Sequence, residues 1–191
     1  MSYEVEQKFP IADPAAVEAA LIRLGAKPKE DISQVDRYFA HPSRDFAATD
    51  EALRIRTIGE QSYFTYKGPK LDTTTKTRKE IELAIEHGLA ATSKAQDMLA
   101  SLGFKLVAEV RKQRRHLLVS WEGREVDVAL DRVEEVGNFA ELELAVESTD
   151  EIEAAKSCLF SLTTALGLTA TERRSYLELL LISRASGKRN A

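Results

Sequence analysis

The chain has 191 residues, with 27 Lys and Arg against 31 Asp and Glu, a net charge of −4 and 43% hydrophobic residues. That length fits one domain with a real core, and the acidic balance argues against a nucleic-acid coat. A lone cysteine, Cys158, excludes an intrachain disulfide and a multi-cysteine zinc site.

The first stretch, residues 3–9, alternates Glu4, Glu6 and Lys8 with Val5, Gln7 and Phe9, as a strand with one charged face does. Asp13-Pro14 opens a helix, as N-cap and first-turn proline, whose apolar stripe is Val17, Ala20, Leu21 and Leu24 and which Gly25 ends. Residues 27–39 read as strand-rich, and 41–49 as a loop. A hairpin follows: strand 52–58 with Arg54 and Arg56 on one face, a turn at Gly59, and strand 63–67 with Lys67, stopped by Gly68-Pro69. Residues 71–76 form a polar loop. Residues 77–85 alternate cleanly, with Arg78, Glu80 and Glu82 opposite Ile81, Leu83 and Ile85.

A helix is expected over 93–102, closed by Gly103. Residues 104–121 form one long strand, or two with a bend, bearing Lys112 and Arg114; Glu122-Gly123 is a tight turn. Val126, Val128 and Leu130 then alternate with Asp127, Ala129 and Asp131, and Glu141 and Glu143 alternate with Leu142, Leu144 and Val146. Thr149-Asp150 caps a helix carrying Ile152, Ala155, Cys158, Leu159, Leu162 and Leu166, which puts Cys158 in the core. Residues 175–183 form a last helix. The expected organisation is a single domain over 1–185 with a flexible tail over 186–191. The charged N-terminus lacks a signal-peptide core and no apolar run nears transmembrane length, about 20 residues. A cytoplasmic protein with no membrane contact is the expectation.

About eight strands thus share dense charge of both signs on one face and apolar residues on the other. Either the sheet shows its charges to bulk water, or it closes with charges inside and helices outside. Long hairpin strands whose edges need removing favour closure. A lumen with rows of cations and carboxylates suits a polyanion bridged by divalent metal, and a carboxylate-rich, histidine-poor set favours Mg²⁺ or Mn²⁺. No Walker loop is present. His116 reads as a polar strand residue, and Trp121 and Tyr176 as packing residues.

Glu4-x-Glu6-x-Lys8 resembles the N-terminal signature of the CYTH superfamily, the triphosphate tunnel metalloenzymes. Co-ordered matches follow: Asp36-x-Tyr38-Phe39, Leu53-Arg54-Ile55-Arg56, Tyr66-Lys67-Gly68-Pro69, Arg78-x-Glu80-x-Glu82, Lys112-x-Arg114, Gly137-x-Phe139-x-Glu141-x-Glu143 and Ser175-Tyr176. The resemblance is nearest to the class IV adenylyl cyclase-like branch. It implies an α+β fold, an eight-stranded antiparallel closed β-barrel with helices packed outside. It implies metal binding by Glu4, Glu6, Asp131, Glu141 and Glu143. Asp127 is a further candidate that could instead pair with a neighbouring cation. Lys8, Arg54, Arg56, Lys67, Lys112 and Arg114 would bind the triphosphate, with Arg78, Glu80 and Glu82 completing the network; Lys8, Arg56 and Lys112 are the catalytic candidates. Arg173 or Arg174 would replace the family's C-terminal basic residue. The implied reaction is ATP to cyclic AMP and pyrophosphate. The alternatives are hydrolysis of inorganic, thiamine or nucleoside triphosphate, and a non-catalytic polyphosphate- or nucleotide-binding module. The partner is a small-molecule triphosphate, not nucleic acid, and a homodimer is a possible assembly.

Overall fold

The computed structural model describes residues 3–69 and 78–187. The polar loop expected over 71–76 and the last four residues of the expected tail lie outside the described residues. The strands are β1 (Tyr3–Pro10), β2 (Lys27–Pro28), β3 (Ile32–Ala40), β4 (Ala52–Ile58), β5 (Gln61–Lys67), β6 (Arg78–Ala84), β7 (Lys105–Trp121), β8 (Arg124–Val133) and β9 (Gly137–Val146). Eight of them form one antiparallel ring, β7-β3-β4-β5-β6-β1-β9-β8, and β8 returns to β7. The two-residue β2 only extends the β3 side of β7, opposite Leu117 and Leu118. The strand-rich stretch 27–39 is therefore two elements.

β7 makes the closure. Its 17 residues face β3 through Lys105–Arg114 and β8 through Lys112–Trp121. That offset is the stagger a sheet needs to close on itself. The turn between β7 and β8 holds two residues, Glu122 and Gly123, at φ 48° and 75°. Positive φ at both central positions matches the right-handed twist of the flanking strands.

Four helices pack outside or across the end of the barrel: α1 (Pro14–Arg23), α2 (Leu89–Ser101), α3 (Ile152–Ala165) and α4 (Tyr176–Gly187). Asp13 caps α1, its Oδ1 accepting from the N–H groups of Ala15 and Ala16 at 3.0 and 3.2 Å. α2 starts four residues before the expected Ser93, and α3 is entered through a 3₁₀ turn, Thr149–Glu151. α1 and α3 cover the outer wall, where Leu21, Ala155, Cys158, Leu159 and Leu162 meet Val5, Leu117, Val126, Val128 and Leu142. α2 covers Phe39 and Ile55 with Ala95 and Leu99. α4 differs: Tyr176 and Leu180 pack on Tyr38, Val110, Val133 and Phe139. Val110 and Phe139 share strand faces with Lys112 and Glu141, so α4 lies across one end of the barrel interior. It runs to Gly187, past the expected boundary at 185. Among the described residues, no helix is long and apolar enough to cross a membrane.

Candidate active site

Closure turns the alternating charges inward. The barrel encloses a cavity of about 560 Å³, lined among the described residues by seven basic and six acidic side chains. Lys8, Arg54, Arg56, Lys67, Arg78, Lys112 and Arg114 are the basic ones; Glu4, Glu6, Glu80, Glu82, Glu141 and Glu143 are the acidic ones. Their charges sort into two walls.

The cationic wall rests on two buried carboxylates. Asp36 on β3 accepts from Arg56 through both oxygens, Nε at 2.8 Å and Nη2 at 3.0 Å, and from Arg54 Nη1 at 3.1 Å. Burial opposes the charge of Asp36, but Arg54 and Arg56 outweigh it and hold the carboxyl well below its usual range. Asp131 on β8 accepts from Arg114 at 2.6 and 2.5 Å, from Lys112 at 3.2 Å and from the Tyr176 hydroxyl at 2.8 Å. Arg114 also pairs with Glu141. Lys8 Nζ donates to the Arg174 carbonyl at 2.5 Å and stands 4.0 Å from the centre of the Tyr176 ring. Burial, then the Arg114 charge, pushes Lys112 down to about 8. The Nε–H of Arg54 is buried on this wall with no acceptor among the described residues. A buried donor left unpaired is costly, so it marks a place for an incoming acceptor.

The acidic wall comes from β1, β6 and β9. Register sets Glu6 opposite Glu143, and Glu4 opposite Arg78. Lys67 bridges Glu4 at 3.0 Å and Glu80 at 2.6 Å. Glu4 also shares hydrogen bonds with the carboxyls of Glu80 and Glu143. Carboxyls this close keep a proton between them or need a cation. Burial and the neighbouring Glu4 raise Glu80 to about 7, and burial and Glu4 push Glu143 well above the usual carboxyl value. Glu4 itself is lowered, because Lys67 and the shared protons outweigh its burial. Among the described residues no three acidic, histidine or cysteine side chains are already gathered as a coordination sphere. The chemistry of the set still fits a hard divalent cation: every donor is a carboxylate oxygen, and a cation can replace the shared protons.

Thirteen of the seventeen residues expected in the site and its network thus line one cavity. Four do not. Asp131 lies behind the cationic wall with its side chain fully buried and both oxygens held by donors. Asp127 is tied to His116 at 2.9 Å and Lys29 at 3.3 Å, away from the cavity lining. It is the cation-paired residue that was its alternative reading. Arg173 and Arg174 are both exposed, and Arg174 forks onto Glu172; it is the Arg174 main chain that Lys8 meets. The reading of Tyr176 as a packing residue needs widening, since it packs on Phe139 and also lines the cavity. Glu80 belongs at the centre of the acidic wall. Asp36 was missed as a functional group, although its place in Asp36-x-Tyr38, facing Arg54-x-Arg56, was the available signal.

Residues 2–176 match the model of the CYTH domain. A Methanocaldococcus jannaschii protein provisionally named an adenylate cyclase is 38% identical over 178 residues, covering 92% of this chain and 97% of that one. The adenylate cyclase CyaB of Aeromonas hydrophila is 31% identical, covering 91% and 86%. Among solved structures, a Pyrococcus horikoshii protein superposes with a TM-score of 0.84 at 39% identity, covering 95% of this chain and 99% of the other. The chain therefore belongs to the CYTH domain family, whose members are adenylyl cyclases or triphosphatases and whose tunnel implies dependence on a divalent metal.

Proposed function

We propose that this chain is a class IV-type adenylyl cyclase, converting ATP to cyclic AMP and pyrophosphate with Mg²⁺ or Mn²⁺. The observation that carries the triphosphate is the buried Arg54 Nε–H, which has no acceptor among the described residues, on a wall of cations facing carboxylates. The relatives named adenylate cyclase favour cyclisation. Glu4, Glu6 and Glu143, with Glu141 beside them, would hold the metal. A divalent cation held there would supply positive charge to offset that of the phosphate oxygens.

The chain's own part is positioning and neutralisation. Arg54, Arg56, Lys112 and Arg114 would grip the phosphate oxygens, and Lys8, Lys67 and Arg78 would close the cradle. The ribose 3′-hydroxyl gives up its proton to water as its oxygen bonds to the α-phosphorus and the bond to pyrophosphate breaks. Negative charge then grows on the leaving pyrophosphate, where Lys8, Arg56 and Lys112 would meet it. A nucleotide substrate implies a cytoplasmic place of action.

Hydrolysis of a triphosphate is the second reading. It is favoured by the charge that runs along the whole cavity, whose aromatic lining is Tyr3, Tyr38 and Tyr176, with Tyr176 committed to Asp131 and Lys8. Incubation with ATP or inorganic triphosphate, each with Mg²⁺ or Mn²⁺, separates the two. Cyclic AMP with stoichiometric pyrophosphate is the expected product pair. Orthophosphate from triphosphate without cyclic AMP from ATP would replace the cyclase by the phosphatase. Glu6→Ala and Arg56→Ala should each lower turnover about a hundredfold or more with the fold retained.

A further inference from the structure

We infer that Asp36 is a positioning residue: one buried carboxylate that locks Arg54 and Arg56 into a preformed fork for a polyphosphate. The inference rests on the triphosphate reading above. Cross-strand register places Asp36 opposite Arg56 and Tyr38 opposite Arg54. Asp36 is 1% exposed and does not line the cavity, whereas both arginines do. Its two oxygens take three N–H donors, two from Arg56 and one from Arg54, and the Tyr38 hydroxyl accepts from the same Arg54 nitrogen at 3.3 Å. A side-on carboxylate–guanidinium pair fixes the plane of the guanidinium as well as its place. Among the described residues Arg54 is held through Nη1, which leaves its buried Nε–H without a partner there on the cavity wall.

One negative charge beneath two positive ones leaves the fork net positive. A mere counter-ion and a positioning residue then make opposite predictions. If Asp36 only offsets charge, removing its charge makes the wall more cationic, and a polyanion binds more tightly. If it holds geometry, two like-charged arginines separate once the carboxylate between them is gone, and the fork is lost.

Calorimetric titration with inorganic triphosphate and Mg²⁺ distinguishes these, with circular dichroism melts confirming that each variant is folded. Asp36→Asn should weaken binding about tenfold or more, and should lower kcat further than the change in KM accounts for. Asp36→Glu keeps the charge but moves the carboxylate, so it should also weaken binding and serves if the asparagine variant does not fold. In an Arg56→Gln background the Asp36→Asn loss should shrink, since residues that act as a unit do not add. Tighter binding by Asp36→Asn, an unaffected Asp36→Glu, or equal losses in both backgrounds would overturn the positioning role. A wild-type chain that binds no triphosphate would instead overturn the reading on which it rests.

Discussion

Lys112 shows how the interior tunes a single group. Its side chain is 2% exposed, its ammonium 3.2 Å from Asp131 and 5.0 Å from the Tyr176 ring centre. Burial and the Arg114 charge lower its pKa to about 8, although Asp131 and Glu141 pull the other way. The folded value therefore lies below that of an unfolded lysine. Between about 8 and the usual lysine range the folded chain binds fewer protons, so this group makes stability rise with pH there; below 8 its full charging burden is present. Ligand binding has the opposite slope. A bound polyanion favours the charged ammonium, so triphosphate affinity should fall about tenfold as pH climbs through 8 to 10. Lys112→Arg, which stays charged, should flatten that profile. An identical pH profile in wild type and variant would remove Lys112 from phosphate binding. Alternation along β7 was enough to put Lys112 and Arg114 on one face, but it says nothing of what lies beneath them. Asp131 was expected among the metal ligands because the family resemblance implied it. Cross-strand register instead sets it opposite Arg114, where donors take both oxygens.

At the level of elements, each strand is legible because its period of two is clean, while the destination of its charged face is not. A solvated face and a lumen give the same pattern along one strand. The pairing of β7 with β8 and of β6 with β1 decides between them, and the second of these joins residues far apart in sequence. Helix starts are legible only where a side chain caps them. Asp13 announces α1, whereas α2 begins after Gly88 with no side-chain cap, and Ser93 is a false start. On the apolar face of β6, alternation does not say how far the side chains are covered: Ile81 and Leu83 are 42% and 63% exposed. α3 illustrates what a helix contributes to the wall. Leu159 and Leu162 are fully buried against it, while the neighbouring Phe160 is 68% exposed. Leu159→Ala should cost about 2–5 kcal/mol by losing buried area and leaving a cavity. Phe160→Ala should stay within about 0.5 kcal/mol. Urea unfolding checks both, and similar losses in the two variants would contradict this packing of α3.

At the scale of the whole molecule, the site and the fold are the same object. Seven of the eight barrel strands, all but β8, send side chains to the cavity, and Ser175 and Tyr176 add the entrance to α4. Such an interior places charged groups against burial and against one another. Glu4, Glu80 and Glu143 crowd one wall, and Lys112 is charged against its burial on the other. A polyanion and a divalent cation each relieve the wall of opposite sign, so each should make the other bind more tightly. Held in this cavity they would touch nearly every strand, so their binding energy should appear as stability of the whole barrel rather than of one edge. At a ligand concentration about a hundred times Kd the gain is about 2.7 kcal/mol. For a chain of this size that corresponds to a rise in Tm of about 5–10 °C. Inorganic triphosphate with Mg²⁺ should therefore shift one cooperative melting transition upward by that amount, with either alone giving less, and chelation of the metal should reverse most of it. Hydrogen exchange should slow along β1, β4, β6, β7 and β9 together. Protection confined to a single hairpin, or a melting point indifferent to the pair, would mean that the charged interior is not where the ligand binds.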